Sequence, residues 1–295
     1  MPTPLYVGVD AGGTSTAALA RVGTETRRLY GPGAQAFRDG PAAAAATIAA
    51  LVGEARTAFE EAPLAGLAVG IAGGGRAEER DAVQVALRDS LGTDAVSVTD
   101  DAVIALEAAY GEESGTILVV GTGSIGYART LDGDILRVGG WGAALVDDGS
   151  GASLGRAALR AVLADYDGGP PTSLGALAAT LFGLQTADAV RAEAAGGRLA
   201  RFAPLLLAGA TEEDWVATST LARETNALAQ QLGWLATRVG DSVTPRLTLA
   251  GGLSGEPVYT ASLLAALDRH LPGWSLASTP ADPAEGALAM ALRMA

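Results

Sequence analysis

A short apolar run, Leu5-Tyr6-Val7, leads into Gly8-Val9-Asp10-Ala11-Gly12-Gly13-Thr14-Ser15-Thr16, and a second run, Ala17-Ala18-Leu19-Ala20, leads out of it. Two apolar runs around a Gly-Gly turn predict a β-hairpin. Glycine lets backbone N–H groups approach an anion with no Cβ in the way. Thr14, Ser15 and Thr16 add hydroxyl donors, and Asp10 adds a carboxylate able to hold Mg²⁺ directly or through water. The combination points to a nucleotide phosphate site; the plainer reading is a hairpin with a glycine turn.

The pattern returns about a hundred residues later. Thr116–Val120 reads as a buried strand, Gly121-Thr122-Gly123-Ser124 as its turn, and Ile125–Thr130 as the returning strand, followed by the turn Asp132-Gly133-Asp134. The repeat suggests an internal duplication of one phosphate-binding module. Gly121–Gly126 also spells G-x-G-x-x-G. That fingerprint must open a helix in a strand–helix–strand unit, and here strand and turn follow, so a dinucleotide site is not expected.

Composition removes most other chemistries. There is no cysteine, hence no disulfide, thiolate nucleophile or cysteine-based metal site. All 20 basic residues are arginine, so neither a Walker-type phosphate loop nor a pyridoxal Schiff base is available. The single histidine, His270, lies in a helical stretch away from every glycine motif and reads as a surface or packing residue. Ser-His-Asp hydrolysis and histidine zinc sites drop out with it. What remains is carboxylates, hydroxyls, arginine and backbone amides. The net charge of −13 disfavours a nucleic-acid partner but is compatible with a nucleotide that brings its own cation. No run of about 18 apolar residues predicts a membrane span. The start of the sequence lacks a basic segment before an apolar signal core, so the protein is read as cytoplasmic. At 295 residues, about two domains are expected.

Between the hairpins, Thr24–Tyr30 is a third strand candidate, Gly31–Phe37 a loop, Pro41–Phe59 a helix, and Leu64–Ile71 a strand ending in Ala72-Gly73-Gly74-Gly75. A helix over Arg76–Leu91 and a short strand at Ala95–Val98 lead to Thr99-Asp100-Asp101, which caps a helix from Ala102 to Tyr110. Two adjacent acids are more than a cap needs.

The densest polar and glycine-rich stretch follows the second hairpin: Gly139-Gly140-Trp141-Gly142, Ala143–Val146, Asp147-Asp148-Gly149-Ser150-Gly151, then a helix from Ala152 to Leu163. Trp141 suits the wall of a small-molecule pocket. Asp147 and Asp148 suit hydroxyl groups of a substrate or the outer sphere of Mg²⁺. Residues 165–240 read as largely helical, with Leu221–Arg238 one long amphipathic helix and Trp215 and Trp234 as core or interface residues. Arg246–Ala250 reads as a strand ending in Gly251-Gly252, Val258–Leu271 as a helix, Ser275–Ala277 as a short strand, and Asp282-Pro283-Ala284-Glu285-Gly286-Ala287 opens the last helix.

In this order, these motifs resemble the BadF/BadG/BcrA/BcrD ATPase family, in its N-acetylglucosamine kinase branch of the sugar kinase/Hsp70/actin superfamily. The resemblance spans nearly the whole chain, most specifically Gly139–Gly142 with Asp147–Gly151. It implies an α/β, two-domain, actin-like ATPase fold (ribonuclease H-like) with a duplicated core and an interdomain cleft. One domain would be residues 1–111, completed by helix 284–295, and the other residues 112–283. The resemblance further implies ATP and Mg²⁺ as cofactors and a small amino sugar as substrate. Asp101 matches the catalytic aspartate. Gly12, Gly13, Thr14, Gly121, Thr122, Gly123, Gly251 and Gly252 match the ATP-binding set, and Asp10 the metal side. Gln35, Asp101, Ser124, Gly140, Trp141, Gly142 and Asp147 match the sugar-binding set. A homodimer is compatible with the family.

Two stretches depart from the family pattern. Gln35 stands where relatives carry an asparagine that touches the sugar, and Arg223-Glu224-Thr225-Asn226 where they carry a Gly-Asp pair. The reading is a kinase acting on N-acetylglucosamine at its 6-hydroxyl. Glucosamine, N-acetylmuramate and hexoses stay open, because one contact can decide specificity. So do an ATPase that drives electron transfer, which commonly needs cysteines this chain lacks, and a non-catalytic sugar or nucleotide sensor.

Overall fold

The computed structural model describes residues 3–71, 77–142, 145, 147–277 and 281–294. The chain falls into two compact units, Met1–Glu113 with Ala281–Ala295, and Ser114–Pro280. The expected glycine run Ala72–Gly75, with Arg76, and residues Ala143, Ala144 and Val146 lie outside the described residues.

The first unit begins with three antiparallel strands, β1 (Leu5–Ala11), β2 (Ser15–Val22) and β3 (Glu25–Pro32). Helices α1 (Ala36–Asp39) and α2 (Pro41–Ala58) lead to β4 (Leu64–Ile71), α3 (Ala77–Leu91), β5 (Val96–Asp100) and α4 (Asp101–Tyr110). The sheet order is β3-β2-β1-β4-β5, with β1, β4 and β5 parallel. Alternation along β1 places Leu5, Val7 and Val9 in a core with Ile48, Leu51 and Val52 of α2 and Val83 and Leu87 of α3. Each such aliphatic side chain contributes about 1.5–3 kcal/mol by leaving water.

The second unit carries β6 (Gly115–Val120), β7 (Ser124–Arg129) and β8 (Ile135–Gly139), then α5 (Gly151–Tyr166), α6 (Leu174–Phe182), α7 (Ala187–Ala195), α8 (Ala203–Thr211) and α9 (Trp215–Val239). It continues with β9 (Arg246–Ala250), α10 (Pro257–His270) and β10 (Ser275–Leu276). Read from the other edge, the order is β8-β7-β6-β9-β10. The β6–β7 and β7–β8 pairs are antiparallel, and β6–β9 and β9–β10 parallel. This is the topology of the first sheet, strand for strand, so the duplication signalled by the repeated hairpin extends to all five strands.

The last helix, α11 (Pro283–Leu292), belongs to the first unit. Asp282 caps it by accepting the Ala284 N–H. It lies against β1, where a Cβ on Gly8 would stand 2.0 Å from the Leu288 nitrogen, and against α4, where a Cβ on Gly286 would stand 1.9 Å from the Ile104 oxygen. Glycine at both positions lets helix backbone rest directly on strand and on helix.

Several sequence expectations are corrected. Part of the loop expected at Gly31–Phe37 is structured: Gly31 and Pro32 pair with Thr16 and Ser15, and a short helix starts at Ala36. The extension is possible because β3 is an edge strand, which tolerates proline, and because Thr16 donates its hydroxyl to the Pro32 carbonyl at 2.8 Å. Strand β8 was not foreseen; it is a five-residue edge strand whose apolar run is broken by the exposed Arg137. The long helix starts at Trp215, six residues early, where Asp214 accepts the Ala217 N–H. Of the core or interface positions expected for Trp215 and Trp234, exposures of 72% and 55% exclude the core. The buried stripe of α9 runs through Leu221, Leu228, Leu232 and Leu235, and Trp234 sits beside that stripe. Among the described residues no helix is long and apolar enough to cross a membrane.

Candidate active site

In each unit the glycine loops and carboxylates sit at the carboxyl ends of the parallel strands, where open α/β sheets bind ligands. In the first unit β1 ends at Asp10 and Ala11, and the loop Gly12-Gly13-Thr14 returns to β2. The loop is tied down by the Gly12 N–H on the Ser15 carbonyl, the Ala34 N–H on the Gly12 carbonyl and the Arg38 guanidinium on the Gly13 carbonyl at 2.7 Å. Thr14 is exposed. The Gln35 side chain lies beside the loop, 3.5 Å from where a Cβ on Gly13 would stand.

Asp100 ends β5 and caps α4 by accepting the Ala102 N–H at 3.1 Å. Asp101 is the first residue of that helix. Burial raises Asp101 well above the usual carboxylate range, and so do a hydrogen bond with Asp100 and the charges of Asp100 and Asp10. Burial, with the charge of Asp282, pushes Asp10 up to about 6. Asp282 itself is paired with Arg28 of β3. One unit thus gathers Asp10, Asp101, Gln35 and the first glycine loop.

In the second unit the loop Gly121-Thr122-Gly123 is held against the head of α5, whose Gly151 and Ala152 N–H groups donate to the Gly121 and Thr122 carbonyls at 2.8 and 3.1 Å. Asp147 accepts the Gly142 N–H at 3.1 Å. Its other oxygen lies 2.8 Å from where a Cβ on Gly123 would stand. Burial pushes Asp147 up, against the Gly142 hydrogen bond and the Arg156 charge that pull it down. Gly251 follows β9 with φ +89°, and a Cβ there would stand 2.4 Å from the Val120 carbonyl oxygen; Gly252 faces open space. Gly121–Gly123, Gly142, Asp147, Gly251 and Gly252 are therefore brought to one end of one sheet.

Three further residues of the expected sugar set have these surroundings. Ser124 is buried, and its hydroxyl donates to the Asp148 carbonyl at 2.8 Å. Trp141 is 63% exposed, with the Arg137 guanidinium 4.5 Å from its ring centre. Gly140 is required by packing: it has φ +67°, and a Cβ would stand 2.3 Å from Ile125.

Sequence reasoning missed the Arg28–Asp282 pair beside Asp10 and the Arg156 charge beside Asp147. Residues 28 and 282 stand at opposite ends of the chain, and only the return of α11 joins them. For Asp282 the available signal was a capping acid before Pro283, which is also what an ordinary helix start looks like.

Two copies of one five-stranded sheet, each carrying glycine loops at its strand ends, define a duplicated α/β fold of the actin-like ATPase type. The sequence pattern of the BadF/BadG/BcrA/BcrD ATPase family matches residues 7–291, and the chain belongs to that family. It is 26% identical over 315 aligned positions to an N-acetyl-D-glucosamine kinase of Dictyostelium discoideum, covering 99% of each chain. It is 36% identical to an N-acetylmuramic acid/N-acetylglucosamine kinase of Clostridium acetobutylicum over 101 residues, which is 34% of this chain and 33% of that one. A solved candidate N-acetylglucosamine kinase of Chromobacterium violaceum shares the fold with a TM-score of 0.73 at 24% identity, covering 97% of this chain and 98% of that one.

Proposed function

We propose that this chain is an ATP-dependent sugar kinase that transfers the γ-phosphoryl group of ATP to the 6-hydroxyl of N-acetylglucosamine, giving ADP and the 6-phosphate. The observation that carries this reading is Asp101, a carboxyl at the head of α4, at the same strand ends of the first sheet as Asp10 and the first glycine loop, in a chain of an ATPase family. Both relatives described above bear N-acetylglucosamine in their names.

Phosphoryl transfer needs positioning and charge stabilisation more than covalent work by the protein. Asp101 orients the 6-hydroxyl and takes its proton as the new O–P bond forms and the bond to ADP breaks. A raised proton affinity makes Asp101 a stronger base than an exposed aspartate. Gly12, Gly13 and Thr14, with Gly121, Thr122 and Gly123, receive phosphate oxygens on backbone amides and hydroxyls. Gly251 and Gly252 leave room for the adenosine. Gln35, Gly140, Trp141, Gly142 and Asp147 hold the sugar, with Asp147 accepting from its hydroxyls. Ser124 acts through the loop by holding the Asp148 carbonyl.

Magnesium fits Asp10. That carboxylate is buried and crowded by Asp282, a repulsion a divalent cation relieves. Mg²⁺ commonly takes one or two carboxylates and completes its shell with phosphates and water. When bound, it offsets the charge on the phosphates.

Phosphorus NMR of a mixture of protein, Mg-ATP and N-acetylglucosamine tests the reaction. A phosphate-ester resonance growing in step with ADP supports it. Inorganic phosphate growing in its place contradicts it and marks a plain ATPase.

A further inference from the structure

A cavity of about 580 Å³ opens in the second unit between α5 and α9. Ser153, Arg156 and Arg160 line it from α5, and Thr220, Arg223 and Glu224 from α9. Both sets recur at helical spacing, so each helix turns one polar face into the cavity. Three guanidiniums converge here in a chain whose net charge is −13.

The carboxylates at the cavity are already engaged. Glu224 accepts the Ser153 hydroxyl and pairs with Arg223 at 3.3 Å, and Asp148 at the rim accepts the Gln231 amide at 2.7 Å. Arg160 has no ion pair among the described residues. Guanidinium forks match phosphate and carboxylate oxygens in pairs. The volume is in the range of small-molecule sites, and alanines of α5 with Val216 give the wall an apolar part.

We infer that this cavity binds a hexose-sized molecule bearing an oxyanion, held by the Arg160 and Arg223 guanidiniums with Arg156 beside them. The oxyanion is a phosphate ester or a carboxylate; the shared chemistry is a planar or tetrahedral set of anionic oxygens facing forked donors. The inference does not depend on the proposed phosphoryl transfer.

Isothermal titration of the full chain at low ionic strength, without divalent metal, tests it with two probes, glucose 6-phosphate and glucuronate. Glucose is the uncharged control, and ADP is titrated separately. Wild type is expected to bind one equivalent of one charged probe and no glucose. Whichever probe binds identifies phosphate or carboxylate as the anion. Replacing both exposed arginines, R160Q/R223Q, is expected to weaken that binding at least tenfold with ADP binding intact. Ala161→Trp, which fills the cavity and keeps its charges, is expected to do the same. Loss in either variant with ADP binding intact supports the site. No binding of either probe to wild type, or wild-type binding in both variants, overturns it. Equal loss of probe and ADP binding in both variants also overturns it, since the probe then occupies the nucleotide's own site.

Discussion

Burial raises the proton affinity of Asp101 at the head of α4, and the neighbouring Asp100 and the charge of Asp10 at the end of β1 add to it. These carboxyls belong to one sheet and the helix that leaves it, so the fold stores a repulsion between acids. Burial and Asp282 push Asp10 up to about 6 from its ordinary value of 3.8. The folded chain therefore holds this proton more tightly than the unfolded one. The stabilisation is complete below the ordinary value and is lost as pH rises through the folded value. The shift corresponds to at most about 3 kcal/mol. Thermal unfolding without divalent metal should show the melting temperature rising as pH falls from 7 to 5. Asp10→Asn should make that rise smaller and stabilise the protein at pH 7. An unchanged pH dependence in the variant would contradict the account of Asp10.

Asp101→Asn keeps the shape of the side chain and removes the base. Turnover should fall by roughly 10²–10⁴-fold, the usual worth of a positioned general base. ATP affinity, measured by direct titration, should change little. A variant with wild-type turnover would remove Asp101 from the chemistry.

Gly8→Ala tests whether the C-terminal helix rests on β1. The new Cβ would meet the Leu288 backbone at 2.0 Å, and neither strand nor helix backbone yields cheaply. Overpacking of this kind costs about 1–3 kcal/mol, occasionally more. Urea denaturation should show a lower midpoint, with increased exchange of backbone amides over Pro283–Leu292. An unchanged midpoint would mean that α11 shifts away at no cost.

Much of this architecture was legible in the chain. The repeated apolar–glycine–apolar pattern marks both central hairpins because turn chemistry and strand alternation are local properties. Asp100 and Asp101 were legible as a helix start for the same reason. Strand β8 was not, because an edge strand of five residues with Arg137 at its centre carries too little alternation to stand out. The crowding of Asp10 by Asp282 was not legible either. It depends on a helix from the far end of the sequence, placed by contacts at Gly8 and Gly286 that no local pattern encodes. For Trp215 and Trp234 residue type left core and interface both open, and helical phase on α9 decides against the core.

Trp141 is exposed and bears on its own neighbours chiefly through Arg137. Trp141→Ala should therefore leave the melting temperature within about a degree, since surface changes of this kind cost little. If the ring is a wall for the sugar, KM for N-acetylglucosamine should rise about tenfold, in keeping with the loss of 1–3 kcal/mol of apolar contact, and KM for ATP should stay. An unchanged KM for the sugar would take Trp141 out of the binding site.

The most direct test of the central claim is the rate of ADP release with Mg-ATP, measured with N-acetylglucosamine, glucosamine, N-acetylmuramate, N-acetylmannosamine, glucose and no sugar. Rapid release with N-acetylglucosamine and little without it is expected. Equal release with and without every sugar, or no release at all while ATP binds, would contradict it.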